Sequence, residues 1–103
     1  MEHQESAKVA SRNRQILEAA IALASERGFR QFSRRDVADR AKVADGSVNN
    51  AYGTMDGLHE AVMAAAVERK LLTIIAGGLV MGHPGARAAP QDLKDSALAN
   101  LAA

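Results

Sequence analysis

Ser33, Arg34 and Arg35 stand together ahead of an apolar helical stripe, and Ser47, Asn49 and Asn50 stand together a little further on. Each arginine can present a planar fork of donors to a phosphate, or to the O6 and N7 edge of a guanine. An Asn amide can bind adenine N6 and N7 at once. Such groups recognise duplex DNA and break no bonds. The competing reading is a solvated basic face with ordinary surface amides, and two physical costs weigh against it. Cations in the first turn of a helix face the positive end of its dipole, at roughly 0.3 to 1 kcal/mol each. A DNA phosphate bound there, at the free N–H groups of the turn and the Ser33 hydroxyl, would reverse that sign. Asn is also a weak helix former, so local propensity does not explain a pair of them in a very short helix.

Other chemistries find little support. His59-Glu60-Ala61-Val62-Met63 begins like a zinc-protease helix but has no second His one turn on, so His59 reads as a solvated helix residue. Gly77, Gly78, Gly82 and Gly85 fit neither phosphate-loop nor dinucleotide spacing and read as a helix stop and turns. The chain has no Cys. Without a thiolate, or an acid and base that converge, no enzyme activity, metal or cofactor is expected.

Charge agrees with a nucleic-acid partner once its placement is considered. The net charge is only +1. Between residues 27 and 42, however, Arg27, Arg30, Arg34, Arg35, Arg40 and Lys42 meet only Asp36 and Asp39, whereas acidic residues outnumber basic ones from residue 43 onward. The basic patch coincides with the groups above, as an electrostatic footprint on DNA requires.

Positioning these groups takes helices. The residues are 48% hydrophobic but only 3% aromatic, and Ala-rich, a composition that favours closely packed helices in one small all-α domain. The apolar set Ile16, Leu17, Ala20, Ile21, Leu23 and Ala24 predicts an amphipathic helix from Ser11, as its cap, to Arg27, with Gly28 at the left-handed end position and Phe29 folding back on it. Ser33 and Asp36 have capping-box spacing ahead of Val37, Ala38 and Ala41. After the interruption at 42 to 45, Val48, Ala51 and Tyr52 share one side of a short helix and Ser47, Asn49 and Asn50 the other. Two short helices joined by so tight a turn form a helix-turn-helix, in which the second enters the major groove. Thr54 caps a fourth helix expected to reach about Ala76, where Gly77-Gly78 should end it. A connector is expected over 79–89, and Pro90 starts a last helix with Leu93, Ala97, Leu98 and Leu101.

From Gln15 to Leu58, ILEAAIALASERGF, SRRDVADRAKV and GSVNNAYGTMDGL succeed one another in the order and spacing of a known pattern: the chain resembles the N-terminal DNA-binding domain of TetR-family repressors. The resemblance implies a three-helix bundle with a helix-turn-helix, mounted on a long fourth helix. Residues 1–58 would form the head and 59–103 a helical extension able to dimerise. Ser33, Arg34 and Arg35 would match the DNA-facing start of the second helix; Ser47, Asn49, Asn50 and Ala51 would match the recognition positions; Val43, Val48 and Tyr52 would match buried ones. Lys42, in the turn, could touch backbone, as could Arg12 and Arg14. Lys42 stands where the family commonly has Gly, Ala44 where it has Ser, and Met55 where it has a phosphate-contacting Lys, while Asn49 to Ala51 replace aromatics or His. A left-handed non-Gly residue at Lys42 costs roughly 1 to 2 kcal/mol, and Ala44 leaves the reading helix uncapped.

The expectation is therefore a DNA-binding transcriptional regulator, a repressor, acting on duplex DNA as a homodimer in the cytoplasm. Leu71, Leu72, Ile74, Ile75, Leu79, Leu93, Leu98 and Leu101 are the interface candidates, an intramolecular core being the equal alternative. The segment after Leu58 is too short for a separate ligand domain, so no small-molecule effector is expected, and no run is long enough for a membrane. The rival is a protein-interaction module that pairs with another helical regulator without binding DNA.

Overall fold

A computed structural model describes the backbone of residues 2–102 and the side chains of 8–101. Met1 and Ala103, the ends of the two expected segments, lie outside the described residues. The fold is all-helical: α1 (Glu2–Arg27), α2 (Arg34–Ala41), α3 (Asp45–Tyr52), α4 (Met55–Arg69), α5 (Leu72–Met81), α6 (Pro84–Arg87) and α7 (Gln91–Ala102).

α1 starts at Glu2, well before Ser11, which is not its cap. The early residues lack an apolar stripe but are good helix formers without Gly or Pro, so they extend a helix that the packed part from Ile16 onward has nucleated. At the other end Gly28 takes φ +109° and Phe29 folds into the core, as its sequence position implies. Ser33 caps α2 in a full capping box, its Oγ accepting from Asp36 N while Asp36 accepts from Ser33 N. Thr54 caps α4 through Gly57 N.

The expected long fourth helix is two helices. Lys70 turns left-handed (φ 59°, ψ 47°), and the Leu71 N–H reaches back to the Ala66 carbonyl at 2.8 Å. This is a Schellman-type stop built on a lysine. α2 ends the same way at Lys42 (φ 60°), with Val43 N–H on Ala38 O, and α5 at Gly82, with His83 N–H on Gly78 O. At both lysines a cation sits at the negative end of the helix dipole, which offsets part of the left-handed cost.

Gly77 and Gly78 do not stop a helix; they lie inside α5 as contact points. A Cβ at Gly77 would come within 3.2 Å of the Phe29 Cβ, and one at Gly78 within 2.8 Å of the Ala86 Cβ and into the Met63 methyl. The expected connector is mostly helical too, being the end of α5 and the one-turn α6.

One apolar core runs through the whole molecule. Ile16, Leu23, Phe29, Val37, Val48, Leu58, Val62, Ile74 and Ile75 are fully or almost fully buried. Of the proposed interface leucines and isoleucines, Ile74, Ile75 and Leu93 are spent in this core, and Leu71, Leu72 and Leu79 pack partly against it. Leu98 and Leu101, expected to line α7's packed stripe, are instead 48% and 58% exposed, because Leu93 and Ala97 are the residues α7 turns toward α5.

Candidate nucleic-acid interface

Ion pairing sorts the basic patch. Arg27 pairs with Asp36 (3.1 Å), Arg30 with Asp56 (2.8 Å), and Arg40 forks onto both oxygens of Glu26, its Nη1 at 2.9 Å. Arg34, Arg35 and Lys42 are exposed and have no ion-pair partner among the described residues. The cations left uncompensated are thus the two at the start of α2 and the one in the turn before α3. The paired arginines brace the fold instead. Arg40 and Glu26 hold α2 on α1, and Arg30 and Asp56 hold the α1–α2 turn on the start of α4.

Arg34 and Arg35 are the first two residues of α2. Their backbone N–H groups are among those a helix start cannot satisfy internally. Ser33 Oγ takes only the N–H of the third, Asp36, at 3.1 Å. The Ser33 backbone N–H and hydroxyl, with Arg27 beyond them, hold the Asp36 carboxyl below the usual carboxylate range, so the box stays closed at neutral pH. Ser33 is therefore committed to shaping the helix end, and the free donors there belong to the two arginines.

α3 is seated by its apolar side. Val48 is buried, Ala51 and Tyr52 are half-buried, and the Tyr52 hydroxyl donates to the Asn13 carbonyl at 3.1 Å, tying the end of α3 to α1. Burial, with the nearby Glu18 charge, pushes the phenol up, which keeps it a donor. Val43 is half-buried against the core. On the opposite side Asn49 and Asn50 are exposed, with no side-chain partner among the described residues, and Ser47 is partly exposed beside them. Ala44 gives α3 no side-chain cap, as its residue type implies; Asp45 in the first turn supplies a carboxylate at the positive dipole end instead. Arg12 and Arg14 are exposed on α1, and Met55 is half-buried.

Two positioning features have no signal in the sequence. Gly57, in the first turn of α4, lies so close to the Tyr52 carbonyl oxygen that a Cβ would overlap it, so this glycine lets α4 support the last turn of α3 directly. The other is a pair of buried histidines. His59, expected in solvent, is 4% exposed, with its ring edge-on to Phe29 (5.8 Å between centroids) and Phe32 (5.1 Å). His83 is buried too. It lies edge-on to Phe29 at 5.1 Å, its Nδ1 accepts from Gly85 N to cap α6, and its Nε2 donates to Glu60 at 2.8 Å. A polar residue in an apolar stripe gives no sign of which neighbours enclose it: Phe29 and Phe32 reach His59 from the α1–α2 turn, and Phe29 meets His83 as well.

A short α2, a tight left-handed turn and an α3 held by its apolar side with its polar side outward define a helix-turn-helix head on a three-helix bundle. Residues 16–62 match the family described as "Bacterial regulatory proteins, tetR family". That match supports a TetR-family regulator with an N-terminal helix-turn-helix domain. The curated proteins and the solved structures each gave no match. No helix among the described residues is long and apolar enough to cross a membrane.

Proposed function

We propose that this chain binds duplex DNA sequence-specifically as a homodimeric repressor, with α3 in the major groove. The observation that carries the reading is the sorting of charge. Three arginines of one short segment are neutralised by carboxylates, while Arg34 and Arg35 at the start of α2 and Lys42 in the turn before α3 are left open. Arg34 and Arg35 would grip phosphate with side chains and backbone N–H groups together, Ser33 fixing the helix end, and Lys42 would add a backbone contact. Asn49 and Asn50 would read bases, one of them an adenine, with Ser47 and Ala51 beside them.

Residues 1–58 serve as the reading head and 59–103 as the pairing segment. One head makes few phosphate contacts; two heads a helical turn apart give the affinity and site length a regulator needs. Leu98 and Leu101 on α7 and Val80 and Met81 on α5 are the apolar side chains still available for pairing. Repression follows from occupancy of the operator.

Selection from random duplexes, followed by gel shift across a salt series, tests this. A single enriched motif bound by two chains is expected. Arg34→Ala with Arg35→Ala should flatten the salt dependence by up to about 0.9 units of log K per log salt for each phosphate no longer neutralised, with the unfolding midpoint not lowered, since two cations leave the positive end of the α2 dipole. Asn50→Ala should relax preference at one adenine. No binding even at low salt, or an unaltered double variant, would refute the proposal; helix–helix association without DNA binding would favour the interaction-module rival.

A further inference from the structure

His59 is the one buried side chain, among the described residues, whose polar atom has no answer in the fold. Its Nδ1 is shut from solvent and has no hydrogen-bond partner there. The ring is held between Phe29 and Phe32, the two aromatic residues of the α1–α2 turn, so it forms the seam between that turn of the head and α4. With the proton of the neutral ring on Nε2, Nδ1 is an acceptor left empty, a modest cost. After protonation both ring nitrogens are donors, and Nδ1 would become a buried charged N–H with nothing to accept it.

The groups facing the ring oppose that charge on balance. From the α1–α2 turn comes the Arg30 guanidinium, and from the α5–α6 turn comes His83, itself edge-on to Phe29; both disfavour a charge on His59. Asp56, from the first turn of α4, favours it but is already engaged by Arg30 at 2.8 Å. Glu60, the next residue on α4, is taken by His83.

We propose that His59 is an acid-sensitive latch: protonating it prises the Phe29–Phe32 turn from α4, loosens the seat of α3 and weakens the grip of the head on DNA. The path is short. His59 lies one helical turn from Asp56, which anchors the α1–α2 turn through Arg30, and Gly57 between them bears on the Tyr52 carbonyl at the end of α3. Burial first, and then the Arg30 charge, hold His59 below the ordinary histidine value. The sign follows. Above the unfolded value, near pH 6.5, both states are neutral and the closed seam keeps its full stability. As pH falls through about 6.5 toward the lower folded value, the open or unfolded state takes up the proton and the closed one does not, so stability is lost on acidification. One proton shifts the equilibrium by at most about tenfold per pH unit across that window.

The DNA arm of this inference rests on the function proposed above; the stability arm does not. The test follows the thermal midpoint of the whole chain, and gel shift on its selected duplex, at about pH 7.5 and about pH 5.5, either side of the ordinary histidine value, for wild type, His59→Phe and His59→Leu. His83→Asn, which removes the second buried imidazole, is the control. The wild type and the control should lose stability and DNA affinity on acidification, by up to the tenfold-per-unit limit, and the two His59 variants should lose far less. An NMR titration of the His59 ring in the wild type reads the same event without a variant and decides the matter should both variants fail to fold. A His59 variant with the wild-type pH slope, or a ring that titrates at or above about 6.5 in the folded protein, would overturn the latch. If no duplex is bound at either pH while the midpoint still falls only in proteins that carry His59, the proposed function fails and the acid-sensitive seam stands.

Discussion

The two sides of the helix-turn-helix are built to opposite standards. Behind it, at the junction with α4, the packing has no room for a methyl group: a Cβ at Gly57 would overlap the Tyr52 carbonyl. In front, a Cβ at Gly46 would meet nothing within 4 Å, Ala44 gives α3 no side-chain cap, and Lys42 holds a left-handed turn without being glycine. The contrast shows where this fold spends its precision. The rear fixes the position of α3; the front keeps open donors and a weakly held helix start, which DNA would have to complete.

The sharpest way to break the contrast is at the rear. Gly57→Ala gains helix propensity of up to about 1 kcal/mol but forces the α4 backbone off the Tyr52 carbonyl. Because the obstructing atom is backbone and cannot swing aside, the strain should win, with a net loss of about 1 to 3 kcal/mol in a urea titration. The variant should also weaken the Tyr52–Asn13 tether and lower DNA affinity. A Gly57→Ala protein as stable as wild type would mean that the two helices can slide apart freely and that α3 is not aimed from behind.

A smaller and opposite effect is expected in front. Ala44→Ser supplies the missing cap, and N-cap side chains contribute about 0.5 to 2 kcal/mol. The gain should fall near the low end of that range, since Asp45 already complements the dipole from the first turn. Hydrogen exchange of the α3 amides, slowed in the variant but not elsewhere, would locate the gain. Uniform slowing would show instead that α3 was never the weakly held element.

Legibility from residues alone divides along the same line. The head is readable because its signals are local: Ser33 with Asp36 and Thr54 before α4 are caps, and the Val48–Tyr52 side of α3 is a helical stripe, each set by a few neighbouring residues. The exposure of Asn49 and Asn50 is legible too, since it follows from that stripe; which cations are already neutralised is not, because Glu26 and Asp56 reach them from other helices. The extension misleads for one physical reason: local pattern is silent on what another helix brings. Glycine reads as a breaker at Gly77-Gly78, where its small size serves a close crossing. Lysine reads as helix at Lys70, where it turns left-handed and ends one. His59 misleads in the same way, since its burial depends on Phe29 and Phe32 arriving from elsewhere in the chain.

Lys42 is where the two standards meet, and it carries the smallest expected effect. Its left-handed backbone (φ 60°, ψ 45°) costs more for lysine than for glycine, yet glycine gains chain entropy in the unfolded state and loses the cation at the end of the α2 dipole. These effects nearly cancel, so Lys42→Gly should change stability by only about 0.5 kcal/mol in the favourable direction. DNA binding should not cancel in the same way. If Lys42 touches phosphate, the salt slope should fall by about 0.9 units, and Lys42→Arg, which keeps the charge, should restore it. A variant more stable yet equally tight on DNA at every salt concentration would show that the strained lysine serves the turn alone, leaving the open charge of the front to Arg34 and Arg35.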